Sequence, residues 1–197
     1  MGYNLEKQKR TKKRMEDAFI QLYKDNNYEK ITVQQICRKA GIHRSTFYLY
    51  YGNMEMLLRE LEDRLLEKLQ EYNHALHPFD FRKTNHHGEA TASLVPMVRF
   101  FLEHRLTFVV LMSPHGDPYF HRKLQRWIWD GLVWSLHRGN FNMGPYQHYV
   151  VEGLVSAVFT LLEQSLEKNE LEPKEIAWMI TKMIFGSPFL EVGKRRD

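Results

Sequence analysis

The stretch from Thr32 to Tyr51, TVQQICRKAGIHRSTFYLYY, leaves the backbone few options. Thr32 is a strong helix N-cap, and Gln35 three residues on can answer it to close a capping box. The short helix that follows has Val33, Ile36 and Ala40 spaced to point inward. Gly41 ends it, because glycine accepts the left-handed backbone that a helix C-terminus favours. A second short helix, from about His43 to Tyr50, begins after only Ala40-Gly41-Ile42. Two short helices joined by so tight a turn make a helix-turn-helix, with Ile42 and Phe47 placed to pin them together. Gly52-Asn53 closes the second helix. Asn53 can then cap a long fourth helix carrying Leu57, Leu61, Leu65 and Leu69 at helical spacing.

The remaining chain has the same period and no strand-like alternation. A first helix is expected from about Lys7 to Lys24, with Met15, Phe19 and Leu22 on one face, and Asp25-Asn26-Asn27-Tyr28 reads as its stop. His77 to Glu89, with proline, glycine and three histidines, reads as an exposed loop. Helix resumes near Ala92 and runs towards Met112, with Pro96 either in its first turn or marking a kink. Asp117-Pro118 starts a helix that reaches about Arg138, Gly144-Pro145 starts another to about Lys168, and Glu172-Pro173 starts the last. The expected fold is all-α. A three-helix helix-turn-helix domain, residues 1–52, is linked by the long fourth helix to a C-terminal helical bundle, residues 53–197.

Charge separates the same two parts. Residues 1–52 hold 11 Lys/Arg against 5 Asp/Glu, whereas the rest hold 17 against 19. Basicity confined to one end points to a polyanion-binding module on a neutral body; the alternative is a solvated lysine-rich tail. A single cysteine, Cys37, excludes an internal disulfide and a thiolate metal cage. Apolar runs such as Phe108 to Met112 are far too short for a membrane span. The N-terminus lacks the apolar core of a signal peptide, and Glu6 stands where a myristoylation signal wants Ser or Thr. A cytoplasmic protein without a membrane partner is expected. No histidine pair has the i, i+4 spacing of a zinc site with a carboxylate in register, so no metal is expected. A phosphate-binding glycine loop and a nucleophile elbow are both missing, so neither cofactor nor enzyme activity is expected.

In a helix-turn-helix the second helix enters the major groove with its N-terminal residues towards the bases. Those residues here are His43, Arg44, Ser45 and Thr46, all able to hydrogen-bond. Arg44 can pair with guanine or phosphate, and Thr46 can offer its methyl group to thymine. Phe47 and Tyr51, four apart, should face the core, leaving Tyr48 and Tyr50 to project outward with phenol hydroxyls in reach of phosphate oxygens. The alternative is a helical bundle whose surface is merely basic and tyrosine-rich. The same stretch resembles the TetR family of bacterial transcription regulators. The resemblance is carried by Tyr28, by ITVQQICRKAGIHRSTFYLYY, and by Asn53 with EMLL after it, and it covers about residues 8–65. Two positions depart from the family pattern. His43 stands where the family usually has Ser, and Met54 where it has a phosphate-contacting lysine, a contact that Arg10, Lys12, Lys13 or Arg14 can partly replace. The resemblance implies DNA contact by Thr32, Arg44, Ser45, Thr46, Tyr48 and Tyr50. It also implies a homodimer on palindromic double-stranded operator DNA.

Beyond Leu69 the resemblance weakens. SPHGDPYFHRKLQ, Ser113 to Gln125, is similar to a Gly-Asp-Pro-x-Phe stretch in one group of these regulators from Gram-positive bacteria, yet architecture alone explains it. Gly116 allows a turn, Asp117 caps, Pro118 starts a helix and Phe120 packs. The aromatics of the body are numerous enough to line a pocket, expected near Phe101, His104, Phe108 and Trp134 for a small apolar or aromatic effector. A filled aromatic core is the alternative. Gly153 and Ala157, four apart, would let two helices approach closely, with Val150, Leu154 and Leu161 on neighbouring faces. The last helix, with Trp178, Ile180 and Ile184, can complete a four-helix dimer interface. The expected function is a homodimeric transcription regulator, a repressor released by a small effector that shifts the fourth helix. The alternative is a ligand-independent regulator or activator whose C-terminal body binds a partner protein.

Overall fold

The computed structural model describes residues 2–75, 92–138 and 144–186, and every regular element among them is helical. The helices are α1 (Gly2–Asp25), α2 (Val33–Ala40), α3 (Arg44–Tyr50), α4 (Met54–Ala75), α5 (Leu94–Glu103), α6 (Arg105–Met112), α7 (Pro118–Arg138), α8 (Gln147–Lys168) and α9 (Pro173–Phe185). Single 3-10 turns precede α2 and α8, at Tyr28–Lys30 and Gly144–Tyr146. The expected loop from His77 to Glu89 lies outside the described residues. Local chemistry accounts for most boundaries. The Thr32 hydroxyl accepts from Gln35 N at 3.3 Å while Thr32 N donates to Gln35 Oε1 at 2.8 Å. Asn53 Oδ1 accepts from Met56 N at 2.8 Å, and Glu172 and Glu175 form a second capping box before α9.

Two boundaries differ from expectation: α1 starts at Gly2 and not near Lys7, and the next difference lies in the body. The helix from Ala92 to Met112 is broken at His104, and Pro96 sits in the first turn of α5. Residues seven apart in a straight helix lie ~10 Å apart along the axis. Across this break the Phe101 and Phe108 rings meet at 4.5 Å. The bend is where aromatic packing outweighs helix continuity.

The chain divides into two compact units, residues 1–65 with 110–117, and residues 66–109 with 118–197. The division falls inside α4 rather than at its start, because Leu57, Leu58 and Leu61 are buried in the first unit. In that unit Met15, Phe19, Ile36, Phe47 and Leu57 have no exposed surface. Full burial of such a side chain is worth about 1.5–3 kcal/mol each. Phe19, Tyr23 and Tyr28 form an aromatic trio with centroids 5.4–6.3 Å apart. In the second unit α8 packs on α7 and α9, and α5 packs on α9. Val151, Val155, Val158 and Leu162 are the buried stripe of α8, and Ile176 and Ile180 that of α9. Arg105 Nε and Nη2 donate to the last carbonyls of α8, at Leu166 (2.5 Å) and Glu167 (2.8 Å), where a cation also suits the helix dipole. By length and composition alone α8 could cross a membrane, but its buried stripe is engaged by neighbouring helices.

The short segment 110–117 completes the first unit. Val110, Leu111 and Met112 are buried, and the chain then turns so sharply that a Cβ on Gly116 would stand 2.2 Å from Leu111 O. Backbone cannot yield there, so Gly116→Ala should destabilise the fold by about 1–3 kcal/mol or more. An unchanged midpoint in chemical denaturation would refute this. Beyond the turn, Asp117 and Glu62 lie near the Tyr23 hydroxyl. Burial first, then these carboxylates, pushes its pKa up to about 12 from 10.0. The folded state therefore favours the neutral phenol. Its contribution is complete below pH 10 and is lost as pH rises towards 12. Tyr23→Phe should flatten the fall in stability over that interval, as followed by helical circular dichroism against pH. A slope identical to that of the parent would show that Tyr23 does not set it.

Candidate nucleic-acid interface

The interface begins with the turn that aims α3. Gly41 adopts φ 63°, ψ 46°, and its N–H and that of Ile42 satisfy the last carbonyls of α2 at Arg38 (3.3 Å) and Cys37 (3.0 Å). Arg14, from α1, donates to the Ala40 carbonyl and to Gly41 O at 3.2 Å. A Cβ on Gly41 would meet this guanidinium at 3.0 Å and would strain the left-handed backbone as well. Glycine and Arg14 together fix the angle between α2 and α3.

The inner side of α3 is anchored by Phe47, which is fully buried, and by Tyr51 just beyond the helix, with rings 5.7 Å apart. Tyr51 Oη donates to Glu16 Oε1 at 2.9 Å, and Arg64 Nη2 donates to Glu16 Oε2 at 2.6 Å. Lys12 pairs with Glu60 at 2.5 Å and lies 5.3 Å over the Tyr51 ring. Burial and the Glu16 carboxylate push the Tyr51 phenol far above its usual range, so it stays a donor.

With that side fixed, helical phase puts Arg44, Ser45, Tyr48 and Leu49 outward. Tyr48 is 49% exposed and Leu49 82%. Arg44 Nη2 lies 3.4 Å from Tyr48 Oη, with its guanidinium 6.0 Å over the ring. This contact, more than any other, raises the Arg44 pKa. Of the six residues expected to touch DNA, Arg44, Ser45 and Tyr48 share the exposed face. Thr32 is exposed, but its hydroxyl serves the α2 cap. Thr46 and Tyr50 are half-buried on the flank. Tyr50 is two residues from Tyr48, about 200° around the helix, so the two tyrosines do not project together. Leu49 was not among the expected residues. Its signal was present, since it lies one turn from Ser45 and on the side away from Phe47.

In the C-terminal unit, Phe101 and Phe108 are buried against each other, and Phe108 also neighbours Phe120 at 6.2 Å. His104 is exposed with its ring 4.6 Å from Phe100, and Trp134 is half-buried. None of these four lines either of two openings. One is a cavity of about 50 Å³ bordered by Asn73, Trp127, Gly131 and Ser135. The other is an open groove of about 780 Å³ bordered by Val95, Leu171 and Trp178. On α8, Val150, Leu154, Ala157 and Leu161 are half-exposed, Gly153 is exposed with open space around it, and Trp178 on α9 is 42% exposed. Among the described residues no group of three or more His, Cys, Asp or Glu side chains is placed to hold a metal.

Residues 17–61 match the family model of the bacterial regulatory proteins of the tetR family. The helix-turn-helix transcriptional regulator YxbF of Bacillus subtilis (strain 168) is 28% identical over 141 residues, 68% of this chain. The match spans only 35% of that relative's length. A TetR transcriptional regulator from Streptococcus agalactiae 2603V superposes with a TM-score of 0.61 at 24% identity, covering 92% of this chain and 97% of the other. The dihydroxyacetone kinase operon activator DhaS superposes with a TM-score of 0.60 at 17% identity, covering 89% and 94%.

Arg44→Ala should weaken binding to a selected duplex by about tenfold to a hundredfold and, if Arg44 reads guanine, relax preference at one position per half-site. Tyr48→Phe should weaken all sequences alike. Affinities for the duplex and its point variants at fixed salt check this, and unchanged binding in both variants would remove α3 from the interface.

Proposed function

We propose that this chain, a transcription regulator whose N-terminal domain is that of the TetR family, acts as a homodimer that presents one α3 per protomer to a two-fold operator. The observation carrying this reading is the division of α3 into two sides. Phe47 and Tyr51 lock one side to the head, and Arg44, Ser45, Tyr48 and Leu49 leave the other free. A helix held this rigidly can place Arg44 against a base edge or phosphate, the Tyr48 hydroxyl against a phosphate, and Leu49 against a thymine methyl. Thr46 and Tyr50 then touch the groove wall from the flank.

Pairing of two protomers is supported by α8 and α9. Val150, Leu154, Ala157 and Leu161 recur at helical spacing, and none is fully buried within one chain. Gly153 leaves room for close approach, and Trp178 extends the surface. A two-fold pairing of this face would match a palindromic operator. Repression is the direct consequence of occupying such an operator, and a protein of this fold is named an operon activator, so activation remains the second outcome of the same binding.

For regulation, a partner protein docking on the C-terminal body is favoured over an enclosed small effector. Among the described residues the Phe101 and Phe108 rings pack against each other, and the cavity bordered by Trp127 and Ser135, about 50 Å³, is far below the ~300–1,000 Å³ of usual ligand sites. The larger groove includes Trp178, which the dimer reading already covers.

Duplexes selected from a random pool should converge on an inverted repeat; a consensus without two-fold symmetry would remove the dimeric reading. Ala157→Glu should yield monomers in sedimentation, with operator affinity falling sharply. A parent protein that is itself monomeric at micromolar concentration would refute the α8–α9 interface.

A further inference from the structure

Four cations near the start of the chain, Arg10, Lys12, Lys13 and Arg14, were equivalent in sequence as replacements for the lysine absent at Met54. Their surroundings separate them. Lys12 is spent on Glu60, and Arg14 on the carbonyls of the α2–α3 turn. Arg10 and Lys13 are exposed, as is Lys7 one turn earlier, and none of the three has an ion-pair partner among the described residues. The face with Met15 and Phe19 is buried in the first unit.

Position turns these loose charges into a surface. Lys7, Arg10 and Arg14 stand at i, i+3 and i+7, one stripe of α1, with Lys13 beside it. Arg14 ends on Gly41 O, three residues before α3 begins. The stripe therefore starts at the turn that aims the reading helix and continues away from it, Arg10 by ~6 Å and Lys7 by ~10 Å along the axis. The first turn of α1 also carries no acidic residue. Glu6 and Asp17 are the exposed acids of this part of α1, and neither is ion-paired with the stripe.

We propose that Lys7, Arg10 and Lys13 form a second DNA contact, a row of phosphate-binding cations on α1 that grips the backbone beside the bases reached by α3. This rests on the operator-binding reading above. The row contributes affinity without sequence preference, since phosphates carry no base information. An anionic membrane is the lesser fit, because the apolar face of α1 that would enter lipid is already buried in the head.

The test compares the parent chain, the triple variant Lys7→Ala/Arg10→Ala/Lys13→Ala, the charge-conserving variant Lys7→Arg/Arg10→Lys/Lys13→Arg, and Arg44→Ala. Each is titrated with the selected operator and with a random duplex of equal length over a range of salt. Counterion release predicts that the alanine variant loses about fivefold per lost phosphate contact at physiological salt, with the slope of log affinity against log salt shallower by about 0.9 per contact. Both duplexes should weaken in parallel, so discrimination stays, and the charge-conserving variant should bind like the parent. Melting of the alanine variant should match the parent, since the three side chains are outside the core. Unchanged affinity and slope in the alanine variant, beside a weakened Arg44→Ala, would overturn this inference alone. A parent that binds no duplex overturns the operator reading with it. Loss of binding to phosphatidylserine vesicles with DNA binding intact would reassign the row to membrane.

Discussion

Glu16 is 8% exposed, deep in the head, and a carboxylate in that position is costly unless its oxygens are filled. Tyr51 fills one from the end of α3 and Arg64 fills the other from α4, so one side chain of α1 ties together three elements. Leaving a nearly buried carboxylate without a partner typically costs about 1–3 kcal/mol, and the Arg64 end of the pair, 47% exposed, is screened in part by solvent. What polar partners add is direction: a hydroxyl at 2.9 Å and a guanidinium at 2.6 Å fix where Tyr51 can stand, and Tyr51 fixes the end of α3. A helix of seven residues is too short to hold its own angle, so the aim of its exposed face is borrowed from this carboxylate.

Features written within a few residues of one another were legible in the sequence. Thr32 with Gln35, Asn53 ahead of α4, and Glu172 with Pro173 each set a boundary by chemistry spanning three positions or fewer, and all reappear in the structure. The leucine repeat of α4 did so too, because burial follows the helical period. What escaped were relations between distant residues. Nothing adjacent to Glu16 announces Tyr51 or Arg64, and nothing near Arg14 marks it as the residue that holds the Gly41 turn. The break at His104 was hidden because its cause is the meeting of Phe101 and Phe108, whereas the visible candidate, Pro96, is harmless in a first turn. The aromatic composition of the body could not separate a lined pocket from a filled core, since the same rings serve both and only their spacing differs. On α3, an alternating eye pairs Tyr48 with Tyr50, but a 100° step pairs Tyr48 with Leu49.

A division of labour among cations follows from the same geometry. Charge counts treat the basic residues of the N-terminal region as one cloud, yet Arg14, Lys12 and Arg64 are structural members with defined acceptors. Their contribution to any polyanion contact is indirect, through the rigidity of the turn and of α3. The surface cations differ from them in being free to exchange partners, which is the physical requirement for a contact that forms and dissolves with salt. Net charge alone therefore overstates how many residues a nucleic acid would meet.

The segment Val110–Asp117 belongs to the first compact unit although about a quarter of the chain separates it from α4's opening turn. The head is consequently not one continuous stretch of polypeptide, and its eight-residue insert carries the fully buried Leu111. A gene fragment ending within α4 would encode a head with that apolar wall missing. Recombination that grafts such a head onto a foreign body would succeed only where the recipient supplies an equivalent short patch at the matching place. Diversification of the body, on this view, is constrained to proceed around the patch, by drift on either side of it, and not by exchange of whole modules.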